Sequence, residues 1–231
     1  MIVLGGSSRQ SLAALRVALD NTLKGVSAGD ASAISSGLFK ALVAIDSSTG
    51  LRRALTDSAR DASSKSDLVS DLFKKSLTGP VLALLANATS LRWSSPSGIA
   101  DAIEQIAVEA EATAANLGNS LDQVQSEIFT FSKLLIENPD LRTALSERAQ
   151  SPESKQALLK SIFGSKFSAS TNSLLSHSVE SRRARSIEKT IAAYSHAVTA
   201  RRNRVNAHIK SSIALSDGQA KKLADSLTKQ I

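Results

Sequence analysis

Leucine, isoleucine and alanine recur along this chain at steps of three and four residues, the spacing that places apolar side chains on one side of an α-helix. Leu12, Leu15 and Leu19 predict a helix that starts near Ser7 or Ser8 and stops at Gly25. A second helix follows, capped by Asp30 and carrying Leu38, Leu42 and Ile45 on its apolar side. Leu51 to Thr56 reads as a short helix, and Ser64 with Asp67 reads as a capping box ahead of Leu68, Leu72 and Phe73. Thr78-Gly79-Pro80 opens the next helix, whose inward positions are Val81, Leu84 and Leu85.

Ser94-Ser95-Pro96-Ser97-Gly98 is the clearest break in this pattern, because proline, glycine and small polar residues together disfavour helix. Beyond it, Ile99, Ile103, Ile106 and Ala110 mark a long helix ending near Gly118. Ser120 and Gln123 read as a capping box for Leu121, Val124, Ile128, Phe131 and Leu135. Asn138-Pro139 and Ser151-Pro152-Glu153 start two further helices, the second ending at Gly164, and Ser168 caps the helix of Leu174 and Leu175. Ile187, Ile191, Tyr194 and Val198 mark a last long helix towards Arg204. Val205, Ala207, Ile209, Ser211 and Ile213 then alternate in the manner of a half-buried strand, and Ser216 with Gln219 boxes one more helix.

Two stretches of this pattern are copies. Leu51 to Arg92 aligns with Leu141 to Arg182 at a constant offset of 90 with 12 identities in 42 positions, including Leu51, Arg52, Ala54, Leu55, Ser64, Lys65 and Phe73. A gapless alignment of that length indicates an internal duplication of a helical unit. The expected fold is therefore mainly α: two tandem related helical bundles, residues 1–96 and 97–204, followed by the start of a small, truncated α/β domain of strand plus helix at 205–231.

Composition agrees with a helical body. Hydrophobic residues make up 42% and aromatic residues only 3%, so the core must be packed from aliphatic ridges. No run of about 20 apolar residues indicates a membrane span, and Met1 to Gly6 is too short and lacks the basic start of a signal peptide.

Candidate chemistry is sparse. The chain has no cysteine, and His177, His196 and His208 lack the spacing of a metal site. Gly5-Gly6 has no strand before it and is not a phosphate loop. Ser195 beside His196 is a helix-surface pair rather than part of a triad. Glu104, Glu109 and Glu111 read as a solvated helix face. Neither catalysis nor a cofactor is expected.

Charge is more informative. Residues 97–153 hold 10 acidic and 3 basic side chains, whereas 154–231 hold 14 basic and 4 acidic. Arg182, Arg183 and Arg185, then Arg201, Arg202 and Arg204, sit at the two ends of one helix. Such clusters serve as helix-dipole partners on a solvated surface, as contacts to an acidic protein, or as phosphate contacts. Tyr194 is the only aromatic residue between them, which leaves little for stacking on bases.

Particular runs resemble a known family. Leu134-Leu135-Ile136-Glu137-Asn138-Pro139-Asp140-Leu141-Arg142 is similar to the helix junction of the delta subunit of bacterial F-type ATP synthases, the equivalent of the oligomycin-sensitivity-conferring protein. Ser154-Lys155 with Ala157-Leu158-Leu159, Asn172 to Leu175 with Arg182 to Arg185, and Ala214-Leu215-Ser216 within Ile209 to Leu223 resemble later elements of the same family. The proline expected before Leu215 is missing, and the first 96 residues are an extra copy, as in long actinobacterial forms.

The resemblance implies a non-catalytic stator subunit of the peripheral stalk, at the cytoplasmic face of the bacterial plasma membrane and without membrane insertion of its own. It joins the alpha/beta catalytic head to subunit b and resists rotation. Its implied partners are the N-terminal helices of the alpha subunits, received in helical grooves, and subunit b; no nucleic acid is expected. Carried onto this chain, the groove lies between the helix of Ile99, Ile103 and Ile106 and that of Leu174, Leu175 and Val179. Its duplicate pairs Leu12, Leu15 and Leu19 with Val81, Leu84 and Leu85. The alternative is a helical-repeat adaptor outside any ATP synthase, binding nucleic acid through its arginines.

Overall fold

A computed structural model describes residues 5–147, 149–180 and 185–202, together with 216, 218–219, 222–223 and 226. Among the described residues there are eleven helices and no strand. They are α1 (Gly6–Thr22), α2 (Ala28–Ser47), α3 (Thr49–Thr56), α4 (Ala62–Phe73), α5 (Gly79–Ser90), α6 (Pro96–Leu117), α7 (Leu121–Glu137), α8 (Pro139–Ser146), α9 (Pro152–Phe163), α10 (Ala169–Glu180) and α11 (Ile187–Arg202). The strand expected at 205–213 lies outside the described residues. The capping box that follows it is present, since Gln219 N–H donates to Ser216 Oγ and Ser216 N–H to Gln219 Oε1 at 3.4 and 3.0 Å.

Most helix starts fall where the sequence places them, for reasons visible in their caps. Proline stands in the first turn of α5, α6, α8 and α9, where a missing N–H leaves no orphan. Gly25 takes φ +72° after α1, a conformation that suits a residue without Cβ. Three caps differ. Ser27 caps α2, and Asp30, the third residue of the helix, completes its box. α4 begins at Ala62 behind Asp61, so Ser64 and Asp67 lie within the helix. Ser120 Oγ donates back to the Ala115 carbonyl at 3.2 Å and forms no box with Gln123.

The duplication shows directly in the helix bounds. α3, α4 and α5 map onto α8, α9 and α10 at an offset of 90, residue for residue at both ends. α2 maps onto α7 with the same C-terminal end and a start three residues earlier, and α1 onto the first part of α6. The same shift carries α6 onto α11. α6 is thus the sixth helix of the first repeat and the first helix of the second.

Packing bears this out. α6 touches α1, α2, α3 and α5 on one side and α7, α10 and α11 on the other, and its apolar residues from Ile99 to Ala115 are buried. The break is shorter than Ser94 to Gly98: Ser94 and Ser95 form the turn, while Pro96, Ser97 and Gly98 are already the first turn of α6, and the turn is pinned by Ser94 N–H donating to Ser8 Oγ at 2.8 Å and Ser11 Oγ donating to the Arg92 carbonyl at 2.5 Å. The helix after it belongs to both repeats.

The second closely enclosed element is α2. By length and composition it is the one described helix apolar enough to cross a membrane. Its apolarity has a local cause, because two of its faces are covered. Ile34, Leu38, Ala41 and Ile45 are buried in the core, and Ser35, Phe39 and Leu42 are buried as well, Ser35 on α6 and Phe39 and Leu42 beside His177 of α10.

Candidate functional site

The twelve residues assigned to grooves by sequence are all core. Leu12, Leu15 and Leu19 lie in the α1 core stripe, and Val81, Leu84 and Leu85 in that of α5. Ile99, Ile103 and Ile106 are buried on α6, and Leu174, Leu175 and Val179 on α10. The structure brings these helices together as expected, α1 beside α5 and α6 beside α10. The apolar residues themselves form the floor of each pair rather than its surface.

What lies along the α6–α10 pair is α2. Ser35 Oγ donates to the Ala107 carbonyl at 2.8 Å, and Ser32 Oγ to Glu111 Oε2 at 2.9 Å, so α2 runs antiparallel to α6. One turn further on, the Phe39 ring stacks on His177 of α10 with centroids 4.1 Å apart and planes 11° apart. Tyr194 of α11 meets the same ring at 6.1 Å. His177 is held in plane by Glu180, Nδ1 to Oε2 2.6 Å, and Gln156 Nε2 donates to the other oxygen of that carboxylate at 2.7 Å. Burial pushes the Glu180 carboxyl up, but the hydrogen bond and charge of His177, with the bond from Gln156, outweigh it and leave the carboxyl below its ordinary value.

The acidic residues of α6 correct the sequence reading. Glu104, Glu109 and Glu111 are 1%, 2% and 1% exposed and are not a solvated face. Each is met by groups from another element, as buried charge requires. Arg185 and Tyr194 of the second repeat hold Glu104, the tyrosine hydroxyl donating at 3.3 Å. Arg16 of α1 holds Glu109, Nε to Oε1 2.7 Å, and Gln105 adds a second donor at 3.0 Å. Ser32 of α2 donates to Glu111.

Two residues of the basic clusters are likewise spent internally. Arg185 faces Glu104, and Arg201 donates to Thr113 Oγ1 at 2.7 Å and to Asp20 Oδ1 at 2.5 Å, tying α11 to α6 and α1. Arg182, Arg183 and Arg204 lie outside the described residues, as does the side chain of Arg202. Among the described residues no group of His, Asp and Glu is arranged to hold a metal ion.

Sequence reasoning missed the seam residues Ser32, Ser35, Phe39 and His177. The signal was available. Phe39 and Leu42 extend the apolar surface of α2 past the width that a helix needs to cover one core.

Comparison with known proteins supplies the context for this site. The family model described as ATP synthase delta (OSCP) subunit matches residues 108–231. ATP synthase subunit delta of Streptomyces coelicolor is 34% identical over 224 residues, covering 97% of this chain and 81% of that protein. The Kineococcus radiotolerans subunit is 32% identical over 225 residues, with 97% and 81% covered. That of Thermobifida fusca is 30% identical over 224 residues, with 97% and 82% covered. The family model thus begins inside α6, while these relatives also span the first repeat.

Proposed function

The chain belongs to the ATP synthase delta (OSCP) subunit family, and on that premise we propose that it grips the N-terminal helices of the alpha subunits in grooves between paired helices. It is a non-catalytic, peripheral-stalk subunit of an F-type ATP synthase, associated with the membrane-bound complex. The finer reading is mechanical. By holding the head through alpha and subunit b through the region from Val205 onward, at the cytoplasmic face of the membrane, the chain keeps the head from turning with the rotor.

The observation that supports this reading is α2, a helix seated along α6 and against α10 with its small residues inward and one ring stacked. An amphipathic helix buries its apolar stripe when laid between two others. The helix pairs concerned are α1 with α5 and α6 with α10, the second of which carries α2 of the chain itself. The core residues Leu12, Leu15, Leu19, Val81, Leu84 and Leu85 of the first pair, and Ile99, Ile103, Ile106, Leu174, Leu175 and Val179 of the second, act from beneath by setting the separation and tilt of the two helices. Several such contacts made together raise effective concentration, so the joint holds although any single helix can let go.

Titration of the folded chain with a peptide of the alpha subunit's first residues, about 25 long so that several helical turns can form, tests the reading. Saturable binding with gain of helix on the peptide is expected. A folded chain that binds none of it contradicts the proposal.

A further inference from the structure

We propose that the cleft between α3 and the turn joining α5 to α6 docks an acidic, extended segment of another protein subunit, anchored by Arg53, Arg60 and Trp93. The inference needs the chain to be a stalk subunit, as its family shows, and is independent of helix gripping in the grooves.

The cleft has a volume of about 600 Å³, with Arg53, Thr56, Asp57 and Arg60 on one wall and Trp93 and Ser95 on the other. Trp93 is held in place by the fold. Its Nε1 donates to the Ala88 carbonyl of α5 at 2.8 Å, and a Cβ built at Gly98 of α6 would stand 3.5 Å from its Cε3. The indole is thus half-buried and wedged between α5 and α6, a rigid part of the wall. Arg53 is exposed, and its guanidinium has no partner among the described residues. Arg60 has only Asp57 beside it, Nε to Oδ2 3.7 Å, while Asp57 Oδ1 accepts from Ala59 N–H at 2.9 Å within its own turn. Arg60 therefore keeps donors to spare.

The second repeat shows that the fold does not ask for these side chains. α3 and α8 match at both ends, yet ninety positions after Arg53, Arg60 and Trp93 stand Thr143, Gln150 and Arg183. Helix formation alone does not explain why two arginines and the chain's one tryptophan share a single cleft.

The chemistry of the lining selects its occupant. Tryptophan and arginine are the side chains that most often carry binding energy between proteins, whereas lysine, absent from this lining, is depleted there. Two guanidiniums against one carboxylate give the lining a formal charge of 2 − 1 = +1. A polyphosphate would set several negative charges against that lining and face Asp57 as well. A segment with one or two carboxylates matches it, each held by a guanidinium fork, with an apolar side chain laid against Trp93. The walls are one short helix and a turn, not the pair of long helices that cradles a third, so the segment is extended.

The test is made in the assembled ATP synthase, with a photo-cross-linking residue at Ser58, an exposed lining position whose counterpart in the second repeat is Arg148. The cross-linked peptide is identified by mass spectrometry, without and with Arg53→Thr and Arg60→Gln together. Both positions are exposed and the new residues are those of the second repeat, so folding should be retained, which the melting temperature checks. A cross-link to an acidic, non-helical segment of another subunit is expected, with a yield that falls about tenfold in the double variant. A cross-link to the alpha N-terminal helix, to a second copy of this chain or to a segment without carboxylates would overturn the proposal. So would no cross-link, or a yield that the double variant leaves unchanged. Trp93, the one tryptophan, reports on the cleft in the isolated chain. Addition of ATP should leave its fluorescence unchanged, and a saturable change that the double variant abolishes would give the cleft to a free polyphosphate and overturn the proposal too. Binding of the alpha peptide that persists while the cross-link fails removes this proposal alone and leaves helix gripping intact.

Discussion

Phe39 and Phe129 stand ninety positions apart at the same place in the two repeats, yet Phe39 is 2% exposed and Phe129 is 70% exposed. The difference comes from α6, which continues into a second bundle whose α10 and α11 rings close over Phe39. Phe129 has no such cover among the described residues.

Replacing each phenylalanine with alanine should therefore give opposite results. Phe39→Ala removes a stacked, buried ring from the seam and should cost about 3 to 5 kcal/mol. Phe129→Ala should change stability by no more than about 0.5 kcal/mol. Urea unfolding of the two variants decides this, and equal losses would mean that the repeats do not meet over α2.

Arg185 and Tyr194 reach a carboxylate that α6 has carried inside, and Glu104 is almost fully enclosed. Arg185→Ala removes the guanidinium that faces that buried charge and should destabilise the fold by about 3 kcal/mol. Adding Glu104→Gln to it should recover part of the loss, since the amide needs no counter-charge. A double variant less stable than Arg185→Ala alone would contradict the pairing.

Glu127 makes stability depend on pH. Burial pushes its carboxyl up, but hydrogen bonds from the side chain and backbone of Ser168, from Thr171 and from Gln123 outweigh burial and hold it below its ordinary value. Because the folded value lies below the unfolded one, the ionised group contributes its full stabilisation above the unfolded value of about 4.3 and loses it as pH falls through the folded value. Glu127→Gln should thus be less stable than the unaltered chain at pH 7, with the gap narrowing below about pH 4. Urea midpoints at neutral and acid pH measure it, and a gap that widens in acid would reverse the sign.

Close packing at Gly37 gives a further check on α2. A Cβ built there would stand 2.8 Å from Val81 Cγ2 of α5, in the same stripe that holds the first repeat together. Gly37→Ala gains helix propensity, but the clash should prevail, with a net loss of about 1 kcal/mol or more. A melting temperature above that of the unaltered chain would show that α5 can yield.

Much of this was legible before any coordinates. Helix starts follow from prolines and caps that act locally, and the repeat shows as identities at one offset. Three things were not legible, each because it depends on partners distant in sequence. The glutamates of α6 look like a solvated face until Arg16, Arg185 and Ser32 are brought to them. The twelve groove residues were the most apolar on their helices, and in an amphipathic helix that stripe faces the core. The double role of α6 follows from extending the 90-residue shift to α1, whose one identity with α6 is Ser7 with Ser97, and to α11, whose matches are Ala102 with Ala192, Ala107 with Ala197, Val108 with Val198 and Ala110 with Ala200, residue types common to any buried helix.

The central claim is that this family member holds the catalytic head by the alpha N-termini. Co-sedimentation of the full chain with an alpha/beta head assembled from intact alpha, and with one whose alpha lacks its first 25 or so residues, tests it most directly. Saturable binding to the intact head and its loss on the shortened one is the expected result. Equal binding to both heads would contradict the account.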